Sequence, residues 1–209
     1  MERLKNLEAI PVNKDILYSL YNDLKQPKDK ISDLERNGFI IRIKRNLYVI
    51  SKKVHNQEIS SELIANHLYG PSYISLEFAL AHYGLIPERV YAIRSVCVKM
   101  HKFYDTPLGR FEYIKVPVKY FQIGVNQEII DNSHCFLIAS PEKALCDMIL
   151  CTNHLRLQSV KAMKEYLEED LRIDFDVLKT FDRDIVKQCI EVGKKKGELM
   201  QLLKLLSEH

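Results

Sequence analysis

Residues 26–50, QPKDKISDLERNGFIIRIKRNLYVI, read as one helix, one tight stop and one short β-hairpin. Pro27 suits a first helical turn, where a missing N–H is no loss. Ile31 and Leu34 fall three apart on one face, while Lys28, Lys30, Ser32, Asp33 and Arg36 occupy the others. Asn37-Gly38 stops the helix with two residues that tolerate a left-handed backbone. Residues 39–43 and 47–50 are β-branched and apolar runs joined across Lys44-Arg45-Asn46, with Asn46 suited to positive φ. Tyr48 reads as the core anchor of that hairpin.

Upstream, Leu4 and Leu7 stand at helical spacing in a short helix over residues 3–9. Asn13 suits the N-cap of a second helix with Ile16, Leu17, Leu20 and Tyr21 on one face. Three short helices and a hairpin with a basic tip follow the order of a winged helix-turn-helix, expected over residues 1–52. In such a unit the last helix enters the major groove and the hairpin rides on the backbone. The candidate DNA-binding residues are Gln26, Lys28, Lys30 and Ser32 on the helix and Arg42, Lys44 and Arg45 on the wing. Glutamine can bond adenine bidentately, and lysine can reach guanine acceptors or phosphate. Lys44 and Arg45 are expected to meet phosphate, which gives position and not sequence. Asp29 and Asp33 repel phosphate. One unit alone is therefore expected to bind weakly, helped by pairing on repeated half-sites or by the rest of the chain.

Charge follows the same division. Residues 1–55 hold twelve Lys/Arg against seven Asp/Glu, and the other 154 hold nineteen against twenty-one. A basic head on a mildly acidic body is the pattern expected if only the head meets phosphate. No apolar run approaches the roughly 20 residues of a membrane span. The N-terminus is charged throughout and lacks a signal-peptide core, and the five scattered cysteines fit reduced thiols. A cytoplasmic protein is expected.

The polar segment 51–57 reads as a linker to a second domain, 57–209, of α+β class, in which an antiparallel sheet is followed by several helices. Helices are expected over 59–68 and in LEFALAHY, the latter capped by Ser75. Strands are expected in AIRSVCVKM, in a hairpin turning on residues 105–109, and in VNQEII and HCFLIAS around the turn Asp131-Asn132-Ser133. Ser140-Pro141-Glu142 starts a helix with Ala144, Leu145, Met148 and Ile149 inward, and the remainder is helical.

Four segments, FIIRIKRNLYVI, SYISLEFALAHYGLIPE, SVCVKMHKFYDTPLGRFEYIKV and ASPEKALCDMI, resemble the AbiEi family in the same order over residues 26–150. These are antitoxins of type IV toxin–antitoxin systems. Where the family usually has Arg-Gly-Leu-Tyr at the wing, this chain has Arg45-Asn46-Leu47-Tyr48. The resemblance implies a winged-helix repressor that binds inverted repeats of double-stranded DNA in its own promoter. It also implies a C-terminal domain that counters a nucleotidyltransferase-like toxin without a stable complex. The alternative is an antitoxin that neutralises its toxin by direct binding, with DNA binding secondary.

Other chemistries are weak. Cys146, Cys151 and His154 form C-x4-C-x2-H, but no fourth zinc ligand stands near. Asp105, Glu112 and Lys115 superficially suit a nuclease centre. Glu112 and Lys115, however, are three apart on a strand and so face opposite ways. The sequence Lys194-Lys195-Lys196 reads as a solvated face, and no phosphate-cradling glycine loop occurs. No enzyme, metal or cofactor is expected.

Overall fold

The computed structural model describes residues 2–7, 10–56, 58–88, 90–130 and 134–208. They form a mixed α+β chain with two hydrophobic clusters.

The first cluster gathers α1 (Glu2–Lys5), β1 (Val12–Asn13), α2 (Lys14–Leu20), α3 (Pro27–Arg36), β2 (Ile40–Lys44), β3 (Leu47–Ile50) and α4 (Lys52–His55). α3 starts on Pro27 and buries Ile31 and Leu34, as their spacing requires. Gly38 alone makes the reversal at φ +69°, because Asn37 stays right-handed at φ −83°. Asn46 takes the hairpin turn at φ +64°. On α2, Leu17 and the following Tyr21 are buried, while Ile16 is exposed. β1 adds a third strand beside β3, with Val12 opposite Tyr48. Two residues are too few for alternation to reveal it.

Residues 51–56 are more than a linker. Ser51 accepts a hydrogen bond from the Lys53 amide, Val54 enters the first cluster, and Lys53 Nζ reaches the Asn37 carbonyl at 3.4 Å. Four helical residues fall below any periodic signal. Gln57 lies outside the described residues, as does the expected turn at 131–133.

The second cluster is built on α5 (Ser61–Leu68), β4 (Ser72–Ile74), α6 (Leu76–His82), β5 (Ala92–Cys97), β6 (Lys102–Thr106), β7 (Gly109–Lys115), α7 (Val118–Phe121), β8 (Val125–Ile130) and β9 (His134–Ala139). It continues through α8 (Pro141–Cys151), α9 (Val160–Glu165), α10 (Phe175–Leu178), α11 (Arg183–Val192) and α12 (Lys196–Glu208). The six strands run in the order β6-β7-β5-β4-β9-β8. The sheet is mixed, which corrects the antiparallel expectation. β7 lies parallel to β5, with the β6 hairpin arm outermost, and β9 lies parallel to β4. β4 is only three residues long and follows a helix closely, so the sequence pattern hides it.

Both sheet faces are covered. Tyr113 donates to the Ala65 carbonyl of α5 at 2.6 Å on one face. Tyr73, which shares the opposite face with Val96, donates to Asp147 of α8 at 3.0 Å. Asp147 also accepts from Ser75 Oγ at 2.6 Å and from Lys143 Nζ at 2.8 Å, and neither Lys143 nor Asp147 is exposed. Ser75 therefore binds α8 and does not cap α6 with its side chain. Lys195 corrects the solvated reading of the triple lysine: its amine donates to the carbonyls of Ile149, Thr152 and Leu155 at 2.6–3.3 Å. It thereby closes the carboxyl end of α8, where helix carbonyls lack partners.

β3 is the wall between the two clusters. Leu47 and Val49 join the second, Tyr48 and Ile50 the first, so all four residues are buried. A strand covered on both faces reads as a continuous apolar run, which LYVI is.

Candidate nucleic-acid interface

On α3 the exposed residues do not form one basic face. Two helical positions are about 200° apart, so Lys28 and Lys30 project to opposite flanks. Lys28 lies in a row with Ser32 and Arg36, four residues apart, and Ser32 Oγ donates to the Lys28 carbonyl at 3.1 Å. Arg36 lies 3.1 Å from Asp33. Asp29 and Asp33 occupy the centre of the outward face, opposite Ile31 and Leu34. Gln26 precedes the first helical residue, is exposed, and makes no cap bond with its side chain.

The hairpin residues divide in three. Arg45 is exposed at the turn. Arg42 pairs with Glu35 of α3 at 3.0 Å, so its charge is already balanced. Lys44, expected from sequence to meet phosphate, turns inward from the hairpin turn. Its stem follows Ile43 into the second cluster, and its amine donates to the Leu68 carbonyl at the end of α5. Burial first, and then the Lys99 charge, push this amine below the ordinary lysine range.

Around Lys44 the structure gathers cations that sequence reasoning missed. Lys44 and Lys102 lie 6.0 and 5.8 Å from the centre of the Tyr104 ring, and Lys99 lies 5.4 Å from that of Tyr69. Tyr69, Tyr104 and Tyr113 form a contiguous trio, 5.2–6.1 Å between ring centres. The Lys99 amine donates to the Gly70 carbonyl, and Lys115 reaches the Met100 sulfur at 3.7 Å. Among the described residues, Lys44, Lys99, Lys102 and Lys115 have no carboxylate partner within 4 Å. The signal was the basic run Lys99-Met100-His101-Lys102, read only as a strand boundary.

The other candidates stay apart. Cys146 is buried, Cys151 half-buried and His154 exposed, and no group of three metal-ligating residues converges among the described residues. Glu112 is held by Arg94 at 2.9 Å, and Asp105 faces Arg110 at 4.0 Å. With Glu112 and Lys115 on opposite faces of β7, acid and lysine do not meet. Among the described residues no helix is long and apolar enough to cross a membrane.

The chain matches no protein-family model, and comparison with curated proteins finds no match.

Proposed function

We propose that this chain is a DNA-binding transcriptional repressor whose first fifty residues form a winged helix-turn-helix. The observation that carries this reading is the group Lys44, Lys99 and Lys102 around Tyr69 and Tyr104, beside exposed Arg45. Like charges held together without carboxylates raise the local potential, and an incoming phosphate relieves it. Tyrosine faces hold the lysine stems in place, and in this reading a DNA backbone passing the hairpin turn meets the exposed part of this group.

In this reading Lys28, Lys30 and Gln26 reach base edges or phosphate from opposite flanks of α3. Arg45, Lys99 and Lys102 hold the backbone. The acids on α3 weaken contact by the helix alone, and the second cluster's lysines offset this. The chain acts as a binding protein and not as an enzyme. Following the AbiEi resemblance, it represses its own promoter at inverted repeats and serves as antitoxin to a nucleotidyltransferase-like toxin, without a stable complex.

The test is a fluorescence-anisotropy titration with a duplex from upstream of its own reading frame, against a scrambled duplex of equal length. Preferential binding of the upstream duplex, weakened by Arg45→Ala with Lys102→Ala, is the expected result. Equal affinity for both duplexes would remove the repressor reading. A wild-type titration by the double variant would remove this surface.

A further inference from the structure

The six-stranded sheet has two terminal strands, and they differ. β6 carries Lys102 and Asp105, charges that discourage another strand from pairing. β8, VNQEII, has neither proline nor lysine, and it runs against β9 through six residue pairs without a bulge. Its one charged residue, Glu128, is held against His82 of α6 at 3.4 Å. Ile129 is 70 % exposed, and the neighbouring Leu137 of β9 is exposed on the same face.

The ladder fixes which peptide groups of β8 point outward. The Ser140 amide donates to the Gly124 carbonyl at 2.8 Å, one step beyond the Val125–Ala139 pair. The Leu137 amide and carbonyl both bond to the Asn66 side chain, away from β8. Hydrogen-bonded and non-bonded pairs alternate in an antiparallel ladder. Asn126 and Glu128 therefore bond β9, and the amides and carbonyls of Val125, Gln127 and Ile129 face away from it. Among the described residues no strand lies beyond them.

We propose that β8 pairs with β8 of a second copy of this chain, antiparallel about a two-fold axis at Gln127. In that register Gln127 faces the partner's Gln127, Val125 faces the partner's Ile129, and Asn126 faces the partner's Glu128. Every outward amide and carbonyl then gains a partner, β-branched side chains meet on one face, and no like charges stand opposite. Moving the axis to Glu128 sets two carboxylates against each other. Moving it to Asn126 places Ile129 opposite residue 123, outside the partner's strand. A two-fold contact must complement itself, and of these three registers one does.

Sedimentation velocity of the full chain without DNA, from low micromolar to near-millimolar concentration, tests this pairing. A reversible monomer–dimer equilibrium is expected. Gln127→Lys and Gln127→Glu each set like charges across the axis, and each should raise the dissociation constant roughly five-fold. An equimolar mixture of the two should regain at least the wild-type affinity, because lysine then faces glutamate. A register in which residue 127 meets itself is required for that rescue. Gln127 is exposed, so both variants should melt as the wild type does. A wild-type chain that stays monomeric throughout would overturn the proposal. So would a dimer that both variants leave unchanged, or a mixture no tighter than either variant alone. With no DNA present, failure here leaves the repressor reading standing.

Discussion

Lys44 and Leu68 are joined across the two hydrophobic clusters: the lysine amine, on the last residue of β2, donates to the final carbonyl of α5. That carbonyl sits at the negative end of a helix, where a cation is favoured. The bond fixes the β2–β3 hairpin on the second sheet, next to Tyr104 and Lys99. In the proposed reading Lys44 is thus a positioning residue, and Lys102, whose amine has no carboxylate partner among the described residues, is a contact residue.

These roles separate by salt dependence. Lys44→Met keeps the stem, removes the bond, and should cost about 1 kcal/mol of stability. Its effect on the slope of log affinity against log salt should be under half of the ~0.9 expected for a lost phosphate contact. Lys102→Ala should give the reverse pattern, with a slope lower by about 0.9 and an unchanged melting temperature. Anisotropy titrations between about 50 and 200 mM salt read both. A full slope loss in Lys44→Met would make it a phosphate contact after all.

The Lys143–Asp147 pair invites a second prediction. Both side chains are fully buried, and the Lys143 amine also lies 3.2 Å from the centre of the Tyr120 ring. Asp147→Ala leaves a buried amine without its carboxylate and should cost about 3–5 kcal/mol in urea unfolding. Replacing the pair with Lys143→Met and Asp147→Leu should recover most of that loss, since neither charge is then stranded. A double variant as unstable as Asp147→Ala would show that Tyr73 and Ser75, which bond Asp147, carry the cost instead.

Much of this fold was legible because local signals agree with it. Pro27, Ile31, Leu34 and Gly38 each mark a place on α3, and Ser140-Pro141 marks the start of α8. What stayed hidden depends on partners distant in sequence. Nothing near Ser72 announces that β4 lies between β5 and β9. The apolar stripe of α8 shows Ala144 and Leu145 but not Lys143 and Asp147, because a charged residue reads as surface until its partner is known. The placements of Lys44 and Lys195 stayed hidden for the same reason: a long stem can carry its amine inward to carbonyls many residues away. On the candidate surface, Arg45 and the flanks of α3 could be found from sequence. Lys99 and Lys102 required the topology that brings β6 beside the β2–β3 hairpin.

β3 as a shared wall couples the two clusters. Leu47 is buried against the second cluster although its strand belongs to the first sheet. Leu47→Ala should therefore cost about 2–5 kcal/mol and move one unfolding transition as a whole. Circular dichroism and tyrosine fluorescence, followed together in urea, should shift by equal amounts. Two separated transitions, with only one displaced, would mean that the units melt independently despite the common strand.

The thiols test the burial pattern directly. Cys135 is exposed, Cys97, Cys146 and Cys189 are buried, and Cys151 is half-buried. Burial raises the Cys97 thiol, and it pushes Cys151 up to about 12, with the Asp147 charge adding to the effect. Since the thiolate is the attacking form, a thiol raised in this way reacts slowly near neutral pH. Ellman's reagent at mildly alkaline pH should find one fast thiol in the native protein and five in urea. Cys135→Ser should abolish the fast phase without changing the fold, because that side chain packs into neither cluster. A second fast thiol in the native state would place Cys151 or one of the buried three in contact with solvent, against the packing described.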